Sequence, residues 1–320
     1  MKRKVKIGLI QMSVPPTKEA ALVKAEKLIR QAVEKSAKII CLPELFNTPY
    51  FPQKPKADVE EYCEPIPGET TKVMSTLARE LKVIIIVPMC ERAIFPLPRR
   101  GEGQGRGRTR YYNTAIVIND DGKLLGKYRK NHIPHDPGFY EKDYFTEGDL
   151  GYKIFTTKFA KFAVLICYDQ WFPEAARAAR LAGAEVIFYP TAVGNIVGYR
   201  PEGDWHDAWE TAQRGHAIVN SVHVATVNRV GREGRMTFFG QSFVSDPFGK
   251  IMKRASTGRD EAVVLELDLS RNQFFAEGWG FLRNRRPDTY QTLTSGKLVE
   301  KHRRLKKVPH YRDEIRALEK

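Results

Sequence analysis

The chain is poor in the residues that would mark several common protein classes. It has four cysteines in 320 residues, at 41, 63, 90 and 167, and no CxxC pair. That pattern argues against a disulfide framework and against a zinc site, and it suits a reducing, cytoplasmic setting. No apolar run is long enough to span a bilayer, so no membrane partner is expected. Residues 1–6 are basic, but an interrupted strand pattern follows them instead of a signal-peptide core. There is no glycine fingerprint for a dinucleotide or a nucleoside triphosphate, and no internal repeat. The seven histidines lack ligand spacing. No metal and no cofactor is therefore expected. Acidic residues are also in deficit, giving a net charge of +15. Much of that excess lies in two segments, a Gly/Arg-rich stretch at 99–110 and a basic extension at 297–320. A peripheral charge of this kind suits a solvated loop and tail. Nucleic-acid binding is the competing reading and would show as strongly salt-dependent affinity.

What the chain does have is apolar and aromatic content, 42% and 11%, enough for a large core. One α/β domain over 1–296 is expected. Residues 5–11 alternate as a strand. Thr17 can cap a helix in which Leu22, Ala25, Ile29 and Val33 recur at helical spacing, and Ile39–Leu42 reads as a buried strand. This β-α-β unit implies a layered α/β fold, in which chemistry gathers at the carboxyl ends of strands. Glu44 stands at such an end. So does Lys130, in the cluster Arg129-Lys130-Asn131-His132 that follows the strand 123–128. A third end is Cys167, after the apolar run Ala163–Ile166. Pro173 then suits the first turn of a helix. A sulfur close to a helix N-terminus is favoured as thiolate. Taken singly, each residue has an ordinary reading: a surface carboxylate, a solvated lysine, a small core cysteine.

Three blocks occur together, Leu42-Pro43-Glu44, Tyr128-Arg129-Lys130-Asn131-His132-Ile133-Pro134 and Ile166-Cys167-Tyr168-Asp169. In order and spacing they resemble the carbon–nitrogen hydrolase (nitrilase) superfamily over residues 4–293. Within it, Cys167 to Arg177, Phe188 to Ala192, Gly215 to Ala217 and Gly278 to Asp288 are most similar to N-carbamoylputrescine amidases. The resemblance implies a four-layer αββα sandwich assembled as a homodimer or larger homo-oligomer. It also implies a cysteine amidohydrolase with Cys167 as nucleophile, Glu44 as acid and base, and Lys130 as oxyanion donor. Glu141 matches a second glutamate of the family, although by position alone a surface carboxylate fits it equally well. The implied substrate is a small N-carbamoyl amine or amide. N-carbamoyl amino acids and ω-amides are the alternatives, and Arg200, Arg214 and Arg232 could serve their carboxylates. Tyr50, Tyr168, Asp169, Trp171, Glu202 and Asp204 are the expected substrate-binding residues. An acid among Asp169, Glu202, Asp204 and Asp207 is expected to hold a distal ammonium.

Overall fold

The computed structural model describes residues 3–56, 58–95, 108–199 and 203–295. Two six-stranded sheets stack face to face. The first runs in the order Glu261–Asp268, Lys4–Gln11, Ile39–Cys41, Ile84–Phe95, Arg108–Ile118, Leu124–Arg129. The second runs Ile251–Arg254, Phe243–Ser245, His223–Asn228, Val186–Thr191, Lys161–Val164, Ile154–Thr156. The main core lies between them, where Ile7, Leu9, Ile84 and Ile86 of one sheet meet Phe162, Val164, Ile187 and Val224 of the other. Two helices, α1 (Lys18–Glu34) and α2 (Glu69–Leu81), pack on the outer face of the first sheet through Leu22, Leu28, Ile29, Met74 and Leu77. Two more, α3 (Pro173–Leu181) and α4 (Trp205–Asn220), cover the second; α3 presents only alanines to it, which lets the backbones approach closely. The fold is therefore the expected αββα sandwich. No described helix is long and apolar enough to cross a membrane.

Local chemistry explains the element ends that matter. Thr17 caps α1 by accepting from the Ala20 N–H at 3.3 Å. The strand Ile39–Cys41 pairs in parallel with Ile84–Ile86, and the Leu42 N–H still donates to the Ile86 carbonyl at 3.1 Å. The next donor to Leu42 in a parallel ladder would be the N–H of residue 88. That residue is Pro88, which has none. Pairing stops, and the chain turns away at Pro43 into the segment that carries Glu44. Beyond this point the Ile84–Phe95 strand keeps its antiparallel partner Arg108–Ile118, and both run longer than their apolar patterns suggest. Of the Gly/Arg-rich stretch, residues 108–110 are strand and the rest lies outside the described residues, as does the extension 297–320.

One expectation fails here. Cys63 and Cys90 form a disulfide. A bridge pairing Glu64 with Glu91 runs the loop at 60–64 alongside the Cys90 strand and brings the two sulfurs together. Cys41 and Cys167 stay free. The bond closes a separation of 27 residues, which chain entropy alone makes worth about 3.5 kcal/mol. Reductant, or the Cys63→Ala/Cys90→Ala variant, is expected to lower the denaturant midpoint accordingly. A midpoint indifferent to reductant would mean the pair contributes nothing.

Candidate active site

The strand ends converge. Glu44 is fully buried. Its Oε1 accepts from Lys130 Nζ at 2.8 Å and from Asn113 Nδ2 at 2.7 Å. Its Oε2, also buried, accepts no hydrogen bond among the described residues. Lys130 reaches on to Glu141 Oε2 at 2.7 Å, and Glu141 Oε1 takes the Tyr50 hydroxyl at 2.9 Å. One ammonium thus sits between two carboxylates with every side chain out of water. Burial opposes the lysine's charge, but Glu141 and Glu44 outweigh it and hold the ammonium on. Two anions in so dry a site cannot both ionise freely. Burial, reinforced by the Glu44 charge, raises Glu141 to about 7 against the pull of Lys130 and the Tyr50 hydrogen bond.

Cys167 opens a short 3₁₀ turn, Cys167–Trp171, with φ at 42°, a conformation that costs a non-glycine residue about 1 kcal/mol or more. The turn is held from below by Asp169. Its carboxylate accepts from the Ile166 N–H at 2.9 Å, the Tyr128 hydroxyl at 2.7 Å and the His132 N–H at 3.0 Å. It also meets His132 Nδ1 at 2.7 Å, and that ring stacks on Phe172 with centroids 3.7 Å apart. Burial pushes the Cys167 thiol well up, as do the charges of Glu44 and Glu141; Lys130 and the Ala192 N–H pull the other way and lose. This corrects the expectation of a resting thiolate. The following helix starts only at Pro173, so desolvation decides. The sulfur rests as a thiol close to two carboxylates.

A cavity of about 410 Å³ opens above the sulfur, within the usual range for small-molecule sites. Tyr168, Trp171, Phe139 and Trp205 line it with Cys167 and Glu141, and Trp171, 40% exposed, stands at the rim. Other expected contacts lie elsewhere. Tyr50 is fully buried behind the cavity, its hydroxyl spent on Glu141, so it orients that carboxylate instead of lining the pocket. Asp169 is likewise consumed inside the fold and cannot serve a distal ammonium. Asp204 caps α4, accepting from the His206 and Asp207 N–H groups at 2.9 and 3.2 Å. Asp207 is exposed on the same helix. Glu202 lies outside the described residues. Among the described residues no three His, Cys, Asp or Glu side chains gather as a metal site.

Three residues escaped the sequence reading. Asn113, a buried amide in an apolar strand, bridges Glu44 and Glu141, at 3.5 Å from the latter. Arg229 is wholly buried and donates to the carbonyls of Glu44 at 3.0 Å, of Thr48 at 2.9 Å and of Leu45. Its other arm pairs with Glu233 at 2.8 Å, which in turn accepts from the Tyr50 N–H at 2.7 Å. This clamp fixes the Glu44 segment from the second sheet. The third, Asp136, stands in the cavity wall. For Asn113, a polar residue at the start of an apolar strand run was the available signal; Arg229, between two strands, gave none.

The model of the carbon-nitrogen hydrolase family matches residues 6–277. The chain belongs to that family. It is 40% identical over 303 residues to an N-carbamoylputrescine amidase of Solanum lycopersicum, covering 91% of this chain and 95% of that one. A citrullinase of Francisella tularensis subsp. tularensis is 34% identical, over 90% of this chain and 98% of its own. A crystal structure of a carbon-nitrogen hydrolase from Helicobacter pylori superimposes with a TM-score of 0.83 at 36% identity, over 92% of this chain and all of the other. The chain is thus a hydrolase of amide-type C–N bonds in small molecules.

The raised Glu141 carboxyl is expected to give this carbon–nitrogen hydrolase a pH signature. Protonated, Glu141 ceases to be an anionic partner for Lys130; ionised, it holds the ammonium in place. Then kcat/KM should rise with pH through about 7, and Glu141→Gln should lower the rate and flatten that limb. A limb that persists in the variant would assign it elsewhere. Stability runs the opposite way. Between 4.5 and about 7 the folded state holds a proton that the unfolded chain releases, so folding weakens as pH climbs through that window.

Proposed function

We propose that this enzyme hydrolyses the terminal ureido group of an N-carbamoyl amine, with N-carbamoylputrescine the first candidate. The observation that carries the reading is the buried Glu44–Lys130–Glu141 cluster with Cys167 at the foot of an aromatic cavity. Glu44, through Oε2, takes the thiol proton as the sulfur attacks the ureido carbon. Lys130 and the Tyr168 backbone N–H hold the developing oxyanion, a contribution worth about 10²–10³ in rate per donor. Glu44 returns the proton to the leaving nitrogen, and ammonia departs. The thiocarbamate left on Cys167 is cleaved by water, which Glu44 activates. The carbamate product then splits into CO₂ and free amine. Glu141, Asn113 and Tyr50 position Lys130 and Glu44.

The relatives support the ureido class: the tomato enzyme is named for N-carbamoylputrescine and the Francisella enzyme for citrulline. N-carbamoyl amino acids and ω-amides form the second reading, and they would need a cation for their carboxylate. Two arginines expected for that role are engaged away from the cavity, Arg214 on the Gly249 carbonyl at 2.7 Å and Arg232 on Gly234 at 3.1 Å. Arg200 lies outside the described residues.

Ammonia release tests this. The panel is N-carbamoylputrescine, citrulline, N-carbamoyl-β-alanine, glutaramate and a simple nitrile, with Cys167→Ala beside it. Activity on N-carbamoylputrescine that disappears in the variant supports the reading. Preference for a carboxylate-tailed compound overturns the substrate and keeps the chemistry. A homo-oligomer and a cytoplasmic location belong to the same proposal; sedimentation velocity and cell fractionation test them.

A further inference from the structure

Residues 136–139 read Asp-Pro-Gly-Phe. Proline second and glycine third is the pattern of a type II turn. The structure forms it: the Phe139 N–H donates to the Asp136 carbonyl at 2.7 Å, and Gly138 takes φ 77°. A side chain at Gly138 would also collide with Ile196 Cδ1, 2.9 Å from where its Cβ would lie. The turn therefore calls for glycine at this position, and it leads into the segment that delivers Glu141. Asp136 is thereby fixed in the wall of the cavity whose floor is Cys167.

The described lining holds two carboxylates and no lysine or arginine. Glu141 is bound to Lys130. Asp136 stands in the same wall on its own turn. The rest of the wall is largely aromatic, with Phe139, Tyr168, Trp171 and Trp205 offering ring faces to methylene groups and to a cation. A wall of this kind takes an aliphatic chain that ends in positive charge. It places an anion where a carboxylate-tailed substrate would be repelled.

We infer that Asp136 is the specificity-determining residue for the substrate's tail, accepting an alkylammonium while the ureido end lies on Cys167. This rests on the function proposed above and adds which end-group the pocket selects and which residue selects it.

The test compares N-carbamoylputrescine with N-pentylurea, which has the same reach and no charge, in the full-length enzyme. The wild type should prefer the amine in kcat/KM. Asp136→Asn should shrink that preference about 10–100-fold, the range expected when a charged hydrogen-bond partner is lost. The loss should lie in KM for the amine and not in kcat, and Asp136→Glu should restore part of it. Equal losses on both substrates would assign Asp136 a structural role and overturn the inference; so would a preference that survives Asp136→Asn. If the wild type does not hydrolyse N-carbamoylputrescine, the functional reading falls, and the tail site is judged by competition. Butane-1,4-diamine should then inhibit turnover of whichever amide is cleaved, and do so at least tenfold more weakly in Asp136→Asn. Equal inhibition of both proteins would overturn the site itself.

Discussion

Glu44→Gln is expected to lower ammonia release by about 10²–10⁴-fold, the range for removing a positioned general acid–base, while leaving the fold intact. The substitution is isosteric. A glutamine can keep its carbonyl oxygen facing Lys130 Nζ and Asn113 Nδ2 and put its NH₂ where Oε2 stands without a partner among the described residues. What disappears is the proposed base. Because the Cys167 thiol is held protonated by burial and by the neighbouring carboxylates, it depends on Glu44 more than a preformed thiolate would. In the proposed mechanism the same carboxylate is needed again when water attacks the adduct. The variant should therefore be slow at both steps, and any adduct that does form should persist. Intact-mass analysis after long incubation should find the chain heavier by the substrate less ammonia, and Cys167→Ala should show no adduct. Activity within a few-fold of wild type would remove Glu44 from the mechanism.

The parts of the site that could be read in advance are those encoded locally. Glu44, Lys130 and Cys167 each follow a recognisable strand within a few residues, and the α/β layering brings strand ends together. The residues that were missed or misplaced depend on distant pairings. Asn113 matters because its strand lies beside the one that leads into Lys130. Arg229 matters because the second sheet reaches across to the carbonyls of Glu44 and Leu45. Asp169 illustrates the opposite error. Two positions from Cys167, it turns inward to bind Ile166, Tyr128 and His132, and nothing in its neighbourhood of sequence specifies that direction. The thiol was misjudged for a further reason. A nearby helix N-terminus is visible in sequence, whereas burial, which is not, dominates its ionisation. The Cys63–Cys90 bond was hidden in the same way, since it depends on the register that sets Glu64 against Glu91.

Lys130→Met should be costly in two separable ways. Removing the ammonium takes away the proposed oxyanion donor, so kcat should fall by at least about 10²–10³. It also leaves Glu44 and Glu141 buried without their shared counter-charge. Breaking one side of such a cluster destabilises by about 3–5 kcal/mol. That second loss should depend on pH with a definite sign. Two uncompensated carboxylates take up a proton more readily than one, so the variant should be closer to wild-type stability near pH 5 than near pH 8. Arginine should not substitute, because its planar fork needs more room than a point charge held between Glu44 Oε1 and Glu141 Oε2. The double variant Lys130→Met/Glu141→Gln separates the two effects. Deleting one stranded carboxylate should recover much of the stability at pH 8, yet activity should stay at the level of the single variant. Recovery of both together would mean that Lys130 serves only to hold the carboxylates in place; recovery of neither would mean that its role in the fold reaches beyond this cluster.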